Sequence, residues 1–237
     1  AGSVNSLVAL WGFVDEETFI TKAGHVGLVY RLTGVDYECL DHAERRDVVH
    51  RYEAALRGLD ESCRVYQYLS KRRVAPITPV PCARRLAHEA VQRRAAYLNS
   101  RRDELYEFDL HLVLLYEGLA SRGSSTRRAR EVWTQPRSAV RRWLSPSGTL
   151  ELVETDIDRA VAHLHHKAAA FEVLLADSVR PVRLPKPAAF SFFRRLLNYT
   201  PHVAAGASLK YDTHLDYFVA DSSVECHRDH LAVDGVR

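Results

Sequence analysis

LYEFDLHLVLLY, residues 105–116, is the stretch that decides the fold class. In an extended chain Phe108, Leu110, Leu112 and Leu114 fall on one side, and Asp109, His111 and Val113 on the other. Apolar residues dominate both sides of its second half, so the run predicts a strand inside a sheet rather than at its margin. Upstream, Leu86, Ala90, Val91, Tyr97 and Leu98 recur at helical spacing and predict a helix over 84–104. Pro76, Pro79 and Pro81 exclude regular structure just before it. Cys63 to Leu69 alternates Val65, Gln67 and Leu69 with Arg64, Tyr66 and Tyr68, a strand pattern that ends in Lys71-Arg72-Arg73. Val48, Tyr52, Ala55, Leu56 and Leu59 predict a helix over 42–58, with Asp41 and Glu44 as its capping box. The opening stretches Leu7–Val14, Phe19–Thr21 and Val26–Thr33, separated by turn residues, read as a β-meander.

Downstream of the central strand the pattern changes. Gly118 to Gly148, rich in Arg, Ser, Gly and Pro, reads as a mobile insertion, with a short helix around Ala139–Leu144. A third helix starts near Thr155, capped with Asp158, and carries Ile157, Val161, Leu164, Ala168, Phe171 and Leu175 on one stripe. Pro181 and Pro185 end it, and Pro187 opens a fourth helix over Ala188–Asn198. Tyr217–Ala220, Val224–Cys226 and a segment from Leu231 read as short strands. The sum is an α+β chain: a mixed sheet with helices packed on one face, ferredoxin-like over 26–117.

Composition excludes several classes. With 46% hydrophobic and 27% charged residues, the chain of 237 residues is neither disordered nor fibrous. Runs such as Leu112–Tyr116 and Ala168–Phe171 fall far short of the roughly 18–20 apolar residues a membrane helix needs. No internal repeat and no signal-peptide pattern is present, and the lack of any Met points to an excised piece of a longer protein. Cys39, Cys63, Cys82 and Cys226 form no C-x-x-C pair, which suits a reducing cytoplasm better than a disulfide or zinc scaffold. The net charge of +3 is uneven. Seven arginines face the single acid Glu131 between 118 and 142, so this stretch carries +6 and leaves −3 for the remainder.

Few residues suggest chemistry. Asp212, His214 and Asp216 alternate, so on a strand they would share one side and suit a metal ion, although an ordinary polar strand face has the same pattern. His163, His165 and His166 lie on the third helix without a carboxylate one turn on, and Cys226, His227 and His230 lack a fourth ligand. No G-x-S-x-G elbow and no G-x-x-x-x-G-K-[ST] run exists; Gly206-Ala207-Ser208-Leu209-Lys210 lacks the second glycine and the closing hydroxyl. Arg127, Arg128, Arg130, Arg137, Arg141 and Arg142, with Trp133 and Trp143 among them, are candidate contacts for a polyanion or partner. Phe190, Phe193 and Leu197 belong to a helix apolar nearly all round, which is buried or docked on a partner.

Trp11-Gly12-Phe13-Val14, Ile20-Thr21-Lys22-Ala23-Gly24, Val26 to Leu32 and GVDYECLD at 34–41, then Tyr66 to Arg73, resemble the opening of the VirB/TrbE/CagE family of type IV secretion ATPases. The run LDYFVADSSVECHRDHLAVDG at 215–235 resembles that family's lead into the motor domain. The resemblance implies the non-catalytic N-terminal assembly and docking domain of such an ATPase, over 1–237, with the P-loop motor lying beyond. It implies no cofactor here, ATP and Mg in the motor, and a cytoplasmic protein peripheral to the bacterial inner membrane. Implied partners are other secretion components there and neighbouring subunits. Two alternatives stand beside it: a nucleic-acid-binding domain using the 118–142 arginines, and a metal-dependent enzyme using Asp212, His214 and Asp216.

Overall fold

In the computed structural model, residues 8–35, 37–117, 146–198, 200–222, 224–227, 229 and 231–233 are described. The backbone divides into two compact units, one of 1–66 with 112–237 and one of 67–111.

The first unit opens with the expected meander, β1 (Leu10–Phe13), β2 (Thr18–Thr21) and β3 (Val26–Leu32), paired antiparallel in that order. The β1–β2 turn closes on Asp15, whose carboxylate accepts the Glu17 and Thr18 amides at 2.8 and 2.7 Å. Burial opposes its ionisation, but those two amides and the Thr18 hydroxyl outweigh it and hold its pKa below the usual carboxylate range. Helix α1 (His42–Arg57) starts with the capping box foreseen: Asp41 accepts the Ala43 and Glu44 amides, and Glu44 accepts the Asp41 amide. Two long strands follow, β4 (Cys63–Arg73) and β5 (Tyr106–Tyr116), then helix α3 (Pro146–Leu175) and β6 (Pro181–Arg183). Helix α2 (Arg85–Ser100) lies between β4 and β5.

The strand order is β1-β2-β3-β5-β4, with β6 on β3. β2 pairs residues 26–28 of β3, and β6 pairs residues 30–32. The order β6-β3-β5-β4, with α1 after β3 and α3 after β5, is the ferredoxin-like arrangement. It closes at residue 183, beyond the 26–117 expected, because the fourth strand comes after the long helix. The sheet is antiparallel rather than mixed, since each helical crossover skips a strand that then fills the gap.

Both faces of this sheet are covered in the first unit. Thr18 Oγ1 bonds His165 of α3 at 2.9 Å, whereas the next residue, Phe19, stacks edge-on against Phe193 of helix α4 (Lys186–Leu197) at 5.1 Å. Strand alternation therefore sets α3 and α4 on opposite faces. β3 shows the consequence: Val26, Leu28, Val29 and Tyr30 have no exposed surface. Gly27 fits the same scheme, because a Cβ there would lie 2.4 Å from the Phe19 ring. The expected stripe of α3 is the core of its layer, with Leu164, Ala168, Phe171 and Leu175 buried. Helix α1 packs alongside α3.

Three boundaries differ from expectation. α3 begins at Pro146, so Thr155 lies inside it and caps nothing; proline suits a first helical turn, where its missing N–H has no partner to lose. The expected insertion thus ends by 145, and its remainder, with the Ala139–Leu144 helix, lies outside the described residues. Tyr217–Ala220 is no strand: Leu215–Tyr217 is a 3-10 turn. Helix α5 (Pro201–Ala205) was not foreseen, while β7 (Val224–Cys226) and β8 (Leu231–Val233) pair as a separate ribbon.

The second unit contains the outer parts of β4 and β5 with α2. Asn99 closes the proline-rich segment onto α2 by two bonds of 2.9 Å with the Ile77 backbone, and Arg102 Nε donates to the Val74 carbonyl at 2.9 Å. Ala95 is its one buried hydrophobic residue among those described.

Asp60 joins the α1–β4 turn to α3. It accepts the Ser62 hydroxyl and amide, and lies 3.4 Å from Lys167 Nζ and 3.7 Å from His163 Nε2. The Ser62 hydroxyl foremost, with its amide and Lys167, outweighs burial and pushes the Asp60 pKa down to about 2. A depressed carboxylate stabilises the fold above its unfolded pKa and ceases to as pH falls through the folded value. With 42% of the side chain exposed, screening limits this to about 1 kcal/mol or less. Urea unfolding of Asp60→Asn is therefore expected to show a deficit against the parent at neutral pH that closes between about pH 4 and pH 2.

Candidate functional site

Helix α4 organises the C-terminal part of the first unit through two buried polar residues. Arg194 is 1% exposed, and its guanidinium donates to the carbonyls of Val203, Ala204 and Phe218 while pairing with Asp221 at 2.7 Å. Asn198 donates to the Val219 carbonyl at 2.8 Å and accepts the Asp221 and Ser222 amides at 2.8 and 3.0 Å. One helix turn thus clasps α5 and the segment 218–222 together, and the buried guanidinium is matched by acceptors as burial demands.

The chain between α5 and that segment closes one edge of the sheet. The Phe13 amide donates to the Asp212 carbonyl at 2.7 Å and Gly12 bridges Thr213. Glycine is required there, since a Cβ on residue 12 would lie 2.5 Å from the Asp212 carbonyl oxygen. The register of β1 shifts between Leu10 and Gly12, and Trp11 at that irregularity meets His214 edge-on at 4.4 Å.

The three residues considered for a metal are thereby separated. The backbone turns at His214, which adopts left-handed φ of 59°, so the expected strand face does not form. Asp212 pairs with Lys186 at 3.1 Å, buried Asp216 with Lys22 at 2.8 Å, and His214 faces Trp11. Each carboxylate is neutralised by a lysine distant in sequence, and among the described residues no group of three or more His, Cys, Asp or Glu is placed to hold a metal. His163 lies near Asp60, and His227 lies near Glu225 at 3.6 Å; His230 is outside the described residues.

His165 belongs to a polar network under α3. Arg183 donates to Glu17 at 3.0 Å, to Glu172 and, at 2.8 Å, to His165 Nδ1, while the Tyr30 hydroxyl donates to Glu172 at 2.7 Å. Arginine can only donate, so Nδ1 accepts and the ring proton sits on Nε2, beside Thr18 and Asp15. Burial first, then Glu172, pushes the Tyr30 hydroxyl far above its ordinary range. This network ties β6 to β3 and α3.

The partner-contact residues fare unequally. Phe190 is buried and Phe193 is half-buried on Phe19, so both belong to the core; Leu197, with Leu196, is exposed. Arg127, Arg128, Arg130, Arg137, Arg141 and Arg142 lie outside the described residues. Gly206–Lys210 follows α5 and runs into irregular chain, the reverse of the strand-loop-helix order of a phosphate-binding loop.

The surface that sequence reasoning missed is in the second unit. Lys71 Nζ sits 3.7 Å over the Tyr106 ring, so those residues share a side of the strand pair, and alternation adds Leu69, Arg73 and Phe108. Leu69 is 63%, Phe108 60% and Tyr106 41% exposed. The other side is polar and self-satisfied, with Arg72 3.2 Å from both Glu107 and Asp109. Along β5 the apolar side is buried at Leu112 and Leu114 and uncovered at Phe108.

Residues 17–123, which run from the β1–β2 turn through β5, match the family model described as type IV secretion system ATPase VirB4/TrbE, N-terminal domain. Over these residues the chain is similar to the N-terminal domain of this ATPase family. No curated protein matches it. The matched VirB4/TrbE segment contains the entire second unit, but α3, β6 and α4 lie beyond it. Those later elements are nevertheless integral to the domain, since β6 pairs with β3 and α4 covers Phe19.

The clasp gives a direct test. Arg194→Met takes the guanidinium away from three carbonyls, of which Val203 alone keeps another donor, the Gly206 amide, and is expected to cost about 2–5 kcal/mol in urea unfolding, whereas exposed Arg195→Met should cost under about 0.5 kcal/mol.

Proposed function

We propose that this chain is the non-catalytic assembly and docking domain of a type IV secretion ATPase that energises pilus assembly and export of DNA and protein. It holds the motor on inner-membrane secretion components and on neighbouring subunits from the cytoplasmic side, as a peripheral protein. ATP and Mg are bound by the motor domain. The observation that carries the reading is the second unit: it lies wholly within the matched segment, yet buries a single hydrophobic residue among those described and presents an uncovered apolar face. A surface of that kind marks an interaction site. The polar clusters at Arg194, Arg183 and Asp212 support it from the other side, because each is explained by holding the fold together. No helix among the described residues is long and apolar enough to cross a membrane, in keeping with peripheral association.

A docking domain expressed without its motor occupies docking sites and delivers no work. Overproduced in a cell with an active type IV secretion system of the same kind, the chain is expected to reduce transfer at least about tenfold, by competition for a shared site. Calorimetry on the purified chain should show no saturable MgATP site at physiological ionic strength. Unimpaired transfer at high expression, or micromolar MgATP binding, would contradict the proposal.

A further inference from the structure

The uncovered face of β4 and β5 has a composition that selects its partner. Leu69, Tyr106 and Phe108 alternate with Lys71 and Arg73 and no acid shares their side; Asp103, outside the strands, is 3.5 Å from Arg73. The second unit as a whole holds nine Lys and Arg against five Asp and Glu, a net +4 in a chain of net +3. Arg84, Arg85 and Arg94 have no ion-pair partner among the described residues, and Leu86 and Tyr97 on α2 are exposed beside them. The centres of protein–protein interfaces are depleted in lysine. Surfaces that rest on bilayers combine aromatic and aliphatic groups with Lys and Arg, which reach anionic headgroups while the apolar groups enter the acyl boundary.

We infer that this face, formed by Leu69, Lys71, Arg73, Tyr106 and Phe108, contacts an anionic phospholipid surface directly. The inference deepens the docking reading by assigning part of the docking to lipid. The positive unit draws the face to the membrane, each basic residue near the surface strengthening the association several-fold. Leu69 and Phe108 then insert, and the self-paired Arg72 side stays away from lipid.

The test is flotation of the full chain with vesicles of phosphatidylglycerol in phosphatidylcholine, and with phosphatidylcholine alone. The parent chain is expected to bind the anionic vesicles and not the neutral ones, and to be released as salt rises to about 1 M, where screening acts within about 3 Å. Leu69→Glu and Phe108→Glu should each weaken binding about tenfold or more, because a charge replaces a buried apolar group. Phe108→Trp should retain it. Val173→Glu, at an exposed position on α3, should leave it unchanged. Circular dichroism confirms that each variant is folded. Absence of binding to anionic vesicles, or binding that both glutamate variants leave intact, overturns the inference. Should the parent ignore vesicles while Leu69→Glu in the full-length ATPase abolishes transfer, the face holds a protein; the lipid inference falls and the docking reading stands. Vesicle binding as expected, together with no inhibition of transfer by the overproduced chain, would reject the docking reading alone.

Discussion

Strand β3 is the constraint on which the first unit depends. It pairs with β2, β5 and β6, and it lies between a helix layer carrying His165 and Phe171 and another carrying Phe193. A strand covered on both faces must be apolar on both, which explains why Val26, Leu28 and Val29 run together without polar alternation. The one small residue in the run, Gly27, leaves room for the Phe19 ring, so even its interruption follows from the packing. Polar groups that enter this core come matched: Tyr30 reaches Glu172, and Glu172 is shared with Arg183.

Arg194 and Asn198 extend that order to the C-terminal segments. The chain from 200 to 222 has a five-residue helix and a 3-10 turn and little else to hold it. A buried guanidinium with fixed, forked donors can bind three carbonyls from two segments at once, which an ammonium cannot do with the same geometry. The clasp in turn fixes 211–214 against β1, closing an edge that would otherwise present unpaired backbone.

What was legible in the sequence was what local pattern controls. The capping box of α1, the meander, the alternation of β5 and the stripe of α3 each lie within one continuous stretch of chain and are present. β6 was not legible, because three residues that begin with a proline carry no periodicity; its partner Tyr30 is about 150 positions earlier. Asp212, His214 and Asp216 looked like a ligand set because their counter-ions, Lys186 and Lys22, cannot be paired with them from spacing. The role of Arg194 was hidden for the same reason: its acceptors belong to segments whose course is set by tertiary structure. The uncovered face escaped notice because Leu69 and Phe108 alternate like core residues, and only the absence of a covering layer among the described residues distinguishes them.

The chain divides into a well-packed part built on β3 and a basic unit held mainly by backbone pairing and ready to meet another surface. Such a contrast is read most directly by amide hydrogen exchange, since protection follows the buried contacts that each segment must break to open. In the free chain, amides of 26–32 and 112–114 should exchange slowest, and those of 67–73 and 106–108, on the same two long strands or beside them, should exchange orders of magnitude faster. Equal protection along the whole length of β4 and β5 would contradict this division, and with it the claim that the second unit is left uncovered for a partner.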